Sequence, residues 1–195
     1  MKAFRRFSRQ SVIALTAVVA TIVWANAHSS ADEQSLKVGD TAPGFELPSL
    51  AGETVQLSDL VEEGRVVLVV LRGFPGYQCP LCNKQVSDFL QQSKKFNQQG
   101  TQVVFVYPGP STSLSDRAQE FQGKKKLPDG FHLLIDPDYE FTNAYGLRWN
   151  AVRETAYPST FVIEKDQTIS FAKISNSHAG RTSAKEMLKE LADKK

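Results

Sequence analysis

The chemistry that this sequence suggests centres on two cysteines. Cys79 and Cys82 are the only cysteines among 195 residues, and two residues separate them. A disulfide between them would close a very small loop and restrict the unfolded chain little, so a purely structural bridge is not favoured. A dithiol at this spacing can instead alternate with a disulfide, because one thiolate attacks a substrate and the second sulfur resolves the product. The pair therefore predicts redox chemistry.

The residues around the cysteines predict a strand-to-helix junction. Residues 66–71 form an unbroken, β-branched-rich run that is typical of a strand buried on both faces. A helix is predicted from Pro80 to about Asn97, with the proline at its first position, where its fixed φ suits a helix. Cys79 is then the N-cap, and Cys82 is the third helical residue. Backbone N–H groups at a helix N-terminus favour an anion, so we expect a thiolate with a lowered pKa.

Strand-like and helical segments alternate along the rest of the chain. Strands are expected at residues 45–47, 54–57, 66–71, 102–107, 131–135, 159–164 and 168–174. Helices are expected at residues 58–62, 80–97, 115–126, 138–144 and 183–192. This order predicts an α/β protein with a thioredoxin-like fold, in which helices flank a central mixed β-sheet on both faces.

The N-terminal segment has the layout of a secretory signal peptide. A basic start precedes an apolar run at residues 11–24, and small residues follow it. The run is shorter than the roughly 20 residues that span a bilayer. We therefore expect a signal peptide at 1–27, a flexible lead-in at 28–36 and one domain at 37–195. Export to the periplasm or the medium would follow, with membrane attachment only if the signal segment stays uncleaved.

The charge and the motifs of the chain exclude several function classes. Of the 23 Lys and Arg residues, four lie in segment 1–27, which leaves 19 against 21 Asp and Glu. A nearly neutral domain without a dense basic stripe gives no reason to expect a nucleic acid partner. The chain has no second C-x-x-C and no histidine at ligand spacing from the first. We therefore expect neither structural zinc nor another cofactor.

Seven short segments along the chain carry recognisable motifs. They are V-G-D-T-A-P-G-F-E-L at 38–47, L-S-D-L at 57–60, R-G at 72–73, C-P-L-C-N at 79–83, D-P-D at 136–138, A-Y-G-L at 144–147 and P-S-T-F-V-I at 158–163. Together they resemble the peroxiredoxin-like branch of the alkyl hydroperoxide reductase/thiol-specific antioxidant (AhpC/TSA) family, within the thioredoxin superfamily. The resemblance implies a thioredoxin fold and a thiol-dependent antioxidant or oxidoreductase role. It also implies a hydroperoxide or disulfide substrate and an external, thioredoxin-like dithiol reductant.

Two alignments of the motifs give the cysteines opposite roles. Peroxiredoxins carry P-x-x-x-[ST]-x-x-C, and Pro75, Cys79 and Cys82 occupy the corresponding positions. In this alignment Cys82 attacks the peroxide. Thioredoxins use the first cysteine of C-x-x-C as the nucleophile, which here is Cys79. Both assignments stay open at the level of sequence.

Three prolines, Pro75, Pro80 and Pro158, are expected to shape the site. Thioredoxins place a cis-proline beside the sulfurs, and Pro158 stands at the matching position, just before a strand-like segment. Peroxiredoxins normally carry an arginine near this point, so an arginine from elsewhere would have to serve here. The candidates are Arg72, Arg148, Arg153 and Arg181.

Three functions are compatible with these residues. The leading hypothesis is hydroperoxide reduction through a dithiol–disulfide cycle of Cys79 and Cys82. The second is thioredoxin-like protein thiol–disulfide exchange by the same pair. The third is a Cu(I) chaperone that uses both cysteines and His178, because soft sulfur ligands suit that metal.

Overall fold

The computed structural model describes residues 35–194. The predicted signal peptide at 1–27 lies outside this range, as does most of the predicted lead-in at 28–36, so these predictions remain predictions. Leu36 packs against the core of the domain. Within residues 35–194, no helix has both the length and the apolar character that crossing a membrane requires.

Six helices and seven strands are found in this part of the chain. In chain order they are β1 (Glu46–Pro48), β2 (Thr54–Gln56), α1 (Leu57–Glu63), β3 (Arg65–Val70), α2 (Pro80–Gln91), α3 (Ser93–Gln98), β4 (Thr101–Gly109), α4 (Leu114–Gln122), β5 (Phe131–Pro137), α5 (Glu140–Ala144), β6 (Ser159–Ile163), β7 (Ile169–Ile174) and α6 (Ala184–Asp193).

The main sheet has five strands in the order β5-β4-β3-β6-β7. Strand β3 pairs in parallel with β4, and β4 pairs in parallel with β5. On its other side β3 pairs antiparallel with β6, which pairs antiparallel with β7. The sheet is therefore mixed, as predicted, and β3 lies at its centre.

Helices cover both faces of this sheet because the side chains of β3 alternate between two apolar layers. Val67 and Val69 belong to a core that includes residues of α2, α3, α4 and α6. Val66, Leu68 and Val70 belong to a second core, with residues of α1 and α5. An element buried on both faces has no polar side, which explains its unbroken apolar sequence.

The prediction of one continuous helix from Pro80 to Asn97 is wrong. The chain forms two helices, and between them Gln92 adopts φ −102° and ψ 9°, with its N–H bonded to the carbonyl of Phe89. This tight turn redirects the second helix, so that Phe96 at its centre is buried and stacks on Phe89 with ring centroids 5.3 Å apart. The apolar pattern continues across the break, which is why the sequence alone suggested a single helix.

Candidate active site

The two cysteines lie at the N-terminus of α2, as predicted. Cys79 is the N-cap, and its Sγ accepts a hydrogen bond from the backbone N–H of Cys82 at 3.3 Å. Pro80 occupies the first helical position, where a missing N–H costs nothing. A backbone hydrogen bond from Arg72 reaches Cys82, so the pair lies where the chain leaves the central strand. The helix thus presents both sulfurs at its positive end.

The surroundings give the two thiols different acidities. Both are free and buried, and a hydrogen bond joins them. The hydrogen bond from the Cys82 thiol is the main cause that lowers the pKa of Cys79 to about 6. The backbone N–H of Cys82 and the charges of Arg181 and Arg72 also lower it, against the effect of burial. Burial raises the pKa of Cys82 well above its ordinary value, and the bond with Cys79 raises it further. These shifts favour the thiolate form of Cys79 and the thiol form of Cys82 at neutral pH.

Of the four candidate arginines, Arg181 is the one that reaches the thiolate. Its Nη2 lies 3.7 Å from Cys79 Sγ. Its Nη1 donates to Gln85 Oε1 at 3.1 Å, and its Nε donates to the carbonyl of His178 at 3.1 Å. Two acceptors therefore orient the guanidinium so that its remaining edge faces the sulfur. This arginine comes from the segment before α6.

The side chain of Arg72 is buried beside the site, but its hydrogen bonds point away from the sulfurs. Its Nε and Nη2 donate to the two carboxylate oxygens of Glu154 at 2.6 and 2.9 Å. Its Nη1 donates to the Tyr77 hydroxyl at 2.6 Å, and its Nη2 also donates to the carbonyl of Arg153. Arg148 instead stacks over the ring of Tyr139. Arg72 thus adds positive charge near Cys79 and ties the active-site loop to the segment before β6.

Comparison with known proteins decides the family. The profile of the AhpC/TSA family matches residues 38–172. The chain belongs to the AhpC/TSA family.

Similar proteins carry the names of thiol enzymes. A Mycobacterium tuberculosis protein named as a peroxiredoxin is 33% identical over 143 residues, which are 71% of this chain and 85% of the relative. The thiol-disulfide oxidoreductase ResA of Bacillus subtilis is 28% identical over 136 residues, 70% of this chain and 66% of ResA. The crystal structure of peroxidoxin BcpB from M. tuberculosis superposes with a TM-score of 0.62 at 24% identity, covering 80% of this chain and 95% of that one. The AhpC/TSA protein is therefore a thiol-based oxidoreductase, and its thioredoxin-like fold is confirmed.

The prediction of a cis-proline in this AhpC/TSA protein is wrong. Residues 35–194 contain no cis peptide bond, so Pro158 follows a trans bond. The carbonyl of Pro158 accepts a hydrogen bond from the N–H of Ser175 at 2.9 Å, which extends the pairing of β6 with β7 one residue beyond Ser159 and Ile174. Pro158 is buried at the start of β6. Pro75 is buried in the loop before α2, and Pro80 is exposed.

The structure does not bring His178 to the cysteines as a third metal ligand. Its Nε2 lies 2.9 Å from Glu154 Oε1, and its ring lies beside Trp149, with the ring centroids 5.3 Å apart. Across residues 35–194, no three His, Cys, Asp or Glu side chains are grouped so that they could hold a metal ion. The geometry therefore gives the Cu(I) chaperone hypothesis no support.

Sequence reasoning missed the polar side chains that hold the site together. Gln85 is buried, and its Nε2 donates to the carbonyl of Thr182 at 3.1 Å, which fixes its Oε1 toward Arg181. Gln78 accepts a hydrogen bond from the buried Tyr107 hydroxyl at 3.0 Å. Burial raises the pKa of this tyrosine, which keeps its hydroxyl a donor. A glutamine on the apolar face of α2 was the one available sequence signal.

A groove leads along the helix from the site. It has a volume of about 610 Å³ and runs between α2 and residues 178–183. Leu81, Lys84 and Arg181 are among its lining residues. Leu81 is 40% exposed, because the buried positions of α2 are those of Cys82, Gln85, Val86 and Phe89.

Proposed function

We propose that this AhpC/TSA protein reduces hydroperoxides with Cys79 as the nucleophile and Cys82 as the resolving cysteine. The observation that carries the proposal is the opposite perturbation of two adjacent thiols. Cys79 accepts the hydrogen bonds and faces Arg181, and the thiolate form is the reactive nucleophile. Cys82 is fully buried with a raised pKa and stays protonated until its partner has reacted.

The first half of the reaction forms a sulfenic acid on Cys79. The thiolate attacks one peroxide oxygen, so that an S–O bond forms while the O–O bond breaks. The leaving alkoxide or hydroxide takes a proton and departs as alcohol or water. Arg181 lies beside the attacking sulfur and can donate to the peroxide oxygens, which carry increasing negative charge in this step.

The second half forms a disulfide. The Cys82 sulfur loses its proton and attacks the sulfenic sulfur of Cys79, and the hydroxyl group leaves as water. Cys79 Sγ already lies 3.3 Å from the backbone nitrogen of Cys82, so the two residues begin this step in contact. An external dithiol then reduces the disulfide by thiol–disulfide exchange, and both protein thiols are restored.

Protein thiol–disulfide exchange is the second candidate function. It is favoured by the same observation, because the first cysteine of C-x-x-C carries the low pKa, as in the thioredoxin alignment. The similarity to a protein named thiol-disulfide oxidoreductase agrees with it. In this reaction Cys79 attacks a substrate disulfide, a mixed disulfide forms, and Cys82 releases the reduced substrate.

Single-cysteine variants test the assignment. After treatment with hydrogen peroxide, Cys82→Ser is expected to accumulate a sulfenic acid at Cys79, detected with a dimedone-type probe and assigned by fragment-ion mass spectrometry. Cys79→Ser is expected to lose thiol no faster than free cysteine. Rapid sulfenic acid formation in Cys79→Ser, with none in Cys82→Ser, would reverse the roles.

A second measurement separates the two substrates. The reduced wild-type protein is mixed either with hydroperoxides or with insulin, and thiol loss is followed in both. A rate with peroxide that is far above that of free cysteine supports the peroxidase. A rate no faster than free cysteine, together with rapid insulin reduction, would replace the peroxidase by the exchange enzyme.

A further inference from the structure

We propose that His178 and Glu154 are positioning residues that hold Arg181 against the Cys79 thiolate. The inference rests on the proposed role of Cys79 and deepens it. Neither side chain contacts a sulfur, so both would act only through the arginine. The argument follows the hydrogen bonds outward from the sulfur.

The segment that carries Arg181 has little regular structure of its own. Residues 175–183 join β7 to α6, and residues 176–180 are exposed. Arginine has a long side chain with many rotamers, and holding it in one place carries an entropic cost. Something in the surrounding structure must fix this segment if the guanidinium is to stay 3.7 Å from Cys79 Sγ.

The backbone of His178 supplies one of the two anchors of the guanidinium. Arg181 Nε donates to the His178 carbonyl at 3.1 Å. The position of that carbonyl depends on where the histidine side chain is held. Its Nε2 is bonded to Glu154 Oε1 at 2.9 Å, although the histidine side chain is 45% exposed. The imidazole therefore links the Arg181 segment to Glu154, in the segment before β6.

Glu154 is the fixed end of this chain of contacts. Its side chain is only 11% exposed, and its carboxylate pairs in bidentate geometry with Arg72, whose side chain is 4% exposed. Burial alone would raise the pKa of Glu154, but hydrogen bonds from Arg72 and His178 outweigh it and lower the pKa. The carboxylate stays ionised and keeps accepting from both partners. This chain of contacts thus begins at Arg72, just after the central strand β3, passes through Glu154 and His178, and ends at Arg181 beside the thiolate.

The decisive experiment is a double-mutant cycle read out at Cys79. Thiolate ultraviolet absorbance is titrated against pH, and iodoacetamide alkylation is timed at pH 6, where the Cys79 thiol is about half ionised. Losing a cation beside a thiolate raises its pKa by about one unit. Arg181→Ala is therefore expected to slow alkylation at pH 6 about fivefold. His178→Ala leaves Arg181 in place but less well oriented, so about a twofold loss is expected.

The cycle distinguishes a positioning role from a general structural one. In the Arg181→Ala background, His178→Ala is expected to change the rate no further, because residues that act through one another are not additive. His178→Gln retains an N–H donor at the Nε2 position and is expected to restore the wild-type rate. Asn176→Ala, at an exposed position in the same segment, is the matched control and is expected to behave as wild type.

Two results would overturn the inference. One is a wild-type pKa of Cys79 in His178→Ala. The other is an equal loss from His178→Ala with and without Arg181, which would mean that the histidine acts by another route. Fragment-ion mass spectrometry of the alkylated peptide shows which cysteine has reacted. It therefore distinguishes a failure of this inference from a failure of the proposed function. Alkylation at Cys82 at pH 6 refutes the nucleophile assignment. Alkylation at Cys79 at a rate that does not change in His178→Ala refutes only the positioning role.

Discussion

Replacement of Gly73 by alanine is expected to destabilise the fold far more than the same change at Gly76, in the same loop. Gly73 follows β3 and adopts φ +70°, and a Cβ there would lie 1.9 Å from the carbonyl oxygen of Pro108 in β4. Gly76 also has positive φ, at +111°, but a Cβ there would meet nothing within 4 Å. The two positions share the backbone cost and differ in the steric clash.

The magnitude follows from these two contributions. An unfavourable φ costs about 1–2 kcal/mol for a residue with a Cβ. At Gly73 the carbonyl must also move by more than 1 Å in a buried strand, because real Cβ atoms essentially never approach within 3.0 Å. Breaking one buried backbone hydrogen bond to make room costs about 1–3 kcal/mol. We expect a loss of about 3–4 kcal/mol for Gly73→Ala and of about 1–2 kcal/mol for Gly76→Ala.

Urea unfolding of the reduced protein measures both values, and Gly64→Ala completes the comparison. Gly64 has φ 177°, which any residue adopts, but its Cβ would lie 2.0 Å from the carbonyl oxygen of Gly100. This variant isolates the clash and is expected to lose about 2–3 kcal/mol. If Gly73→Ala proved no less stable than Gly76→Ala, the close approach of the active-site loop to β4 would be refuted.

Three further predictions concern single groups. Because the pKa of Cys79 is lowered to about 6, its thiolate persists above this pH, and the alkylation rate should fall about tenfold per pH unit below it. A pH dependence of this rate with its midpoint near the ordinary thiol value of about 9 would contradict the site electrostatics. Tyr107→Phe removes the donor to Gln78 Oε1 and should cost about 1 kcal/mol in urea unfolding, whereas no loss would show that water replaces the hydroxyl. Asp136→Ala leaves the buried N–H groups of Phe141 and Thr142 without their acceptor and should lower the free energy of unfolding in urea by about 2–3 kcal/mol. Asp136→Asn keeps one acceptor oxygen and should lose less.

The elements that carry the cysteines could be predicted from the sequence because local signals specify them. Residues 66–71 are β-branched and apolar without interruption, which a strand buried on both faces requires. Pro80 suits the first helical position, so the N-cap position of Cys79 followed from its neighbour alone. The family motifs are equally local, and the family profile confirmed the family that they predicted.

The chemistry of the individual sulfurs was decided by contacts between distant parts of the chain. Arg181 is 102 residues from Cys79, and Glu154 is 82 residues from Arg72. No periodicity or spacing records such pairs, so four arginines remained equivalent in the sequence and both motif alignments stayed open. The sequence by itself determined that two thiols would meet at a helix N-terminus. Only the tertiary structure decided which of them is the thiolate, because desolvation and charge depend on what packs around each sulfur.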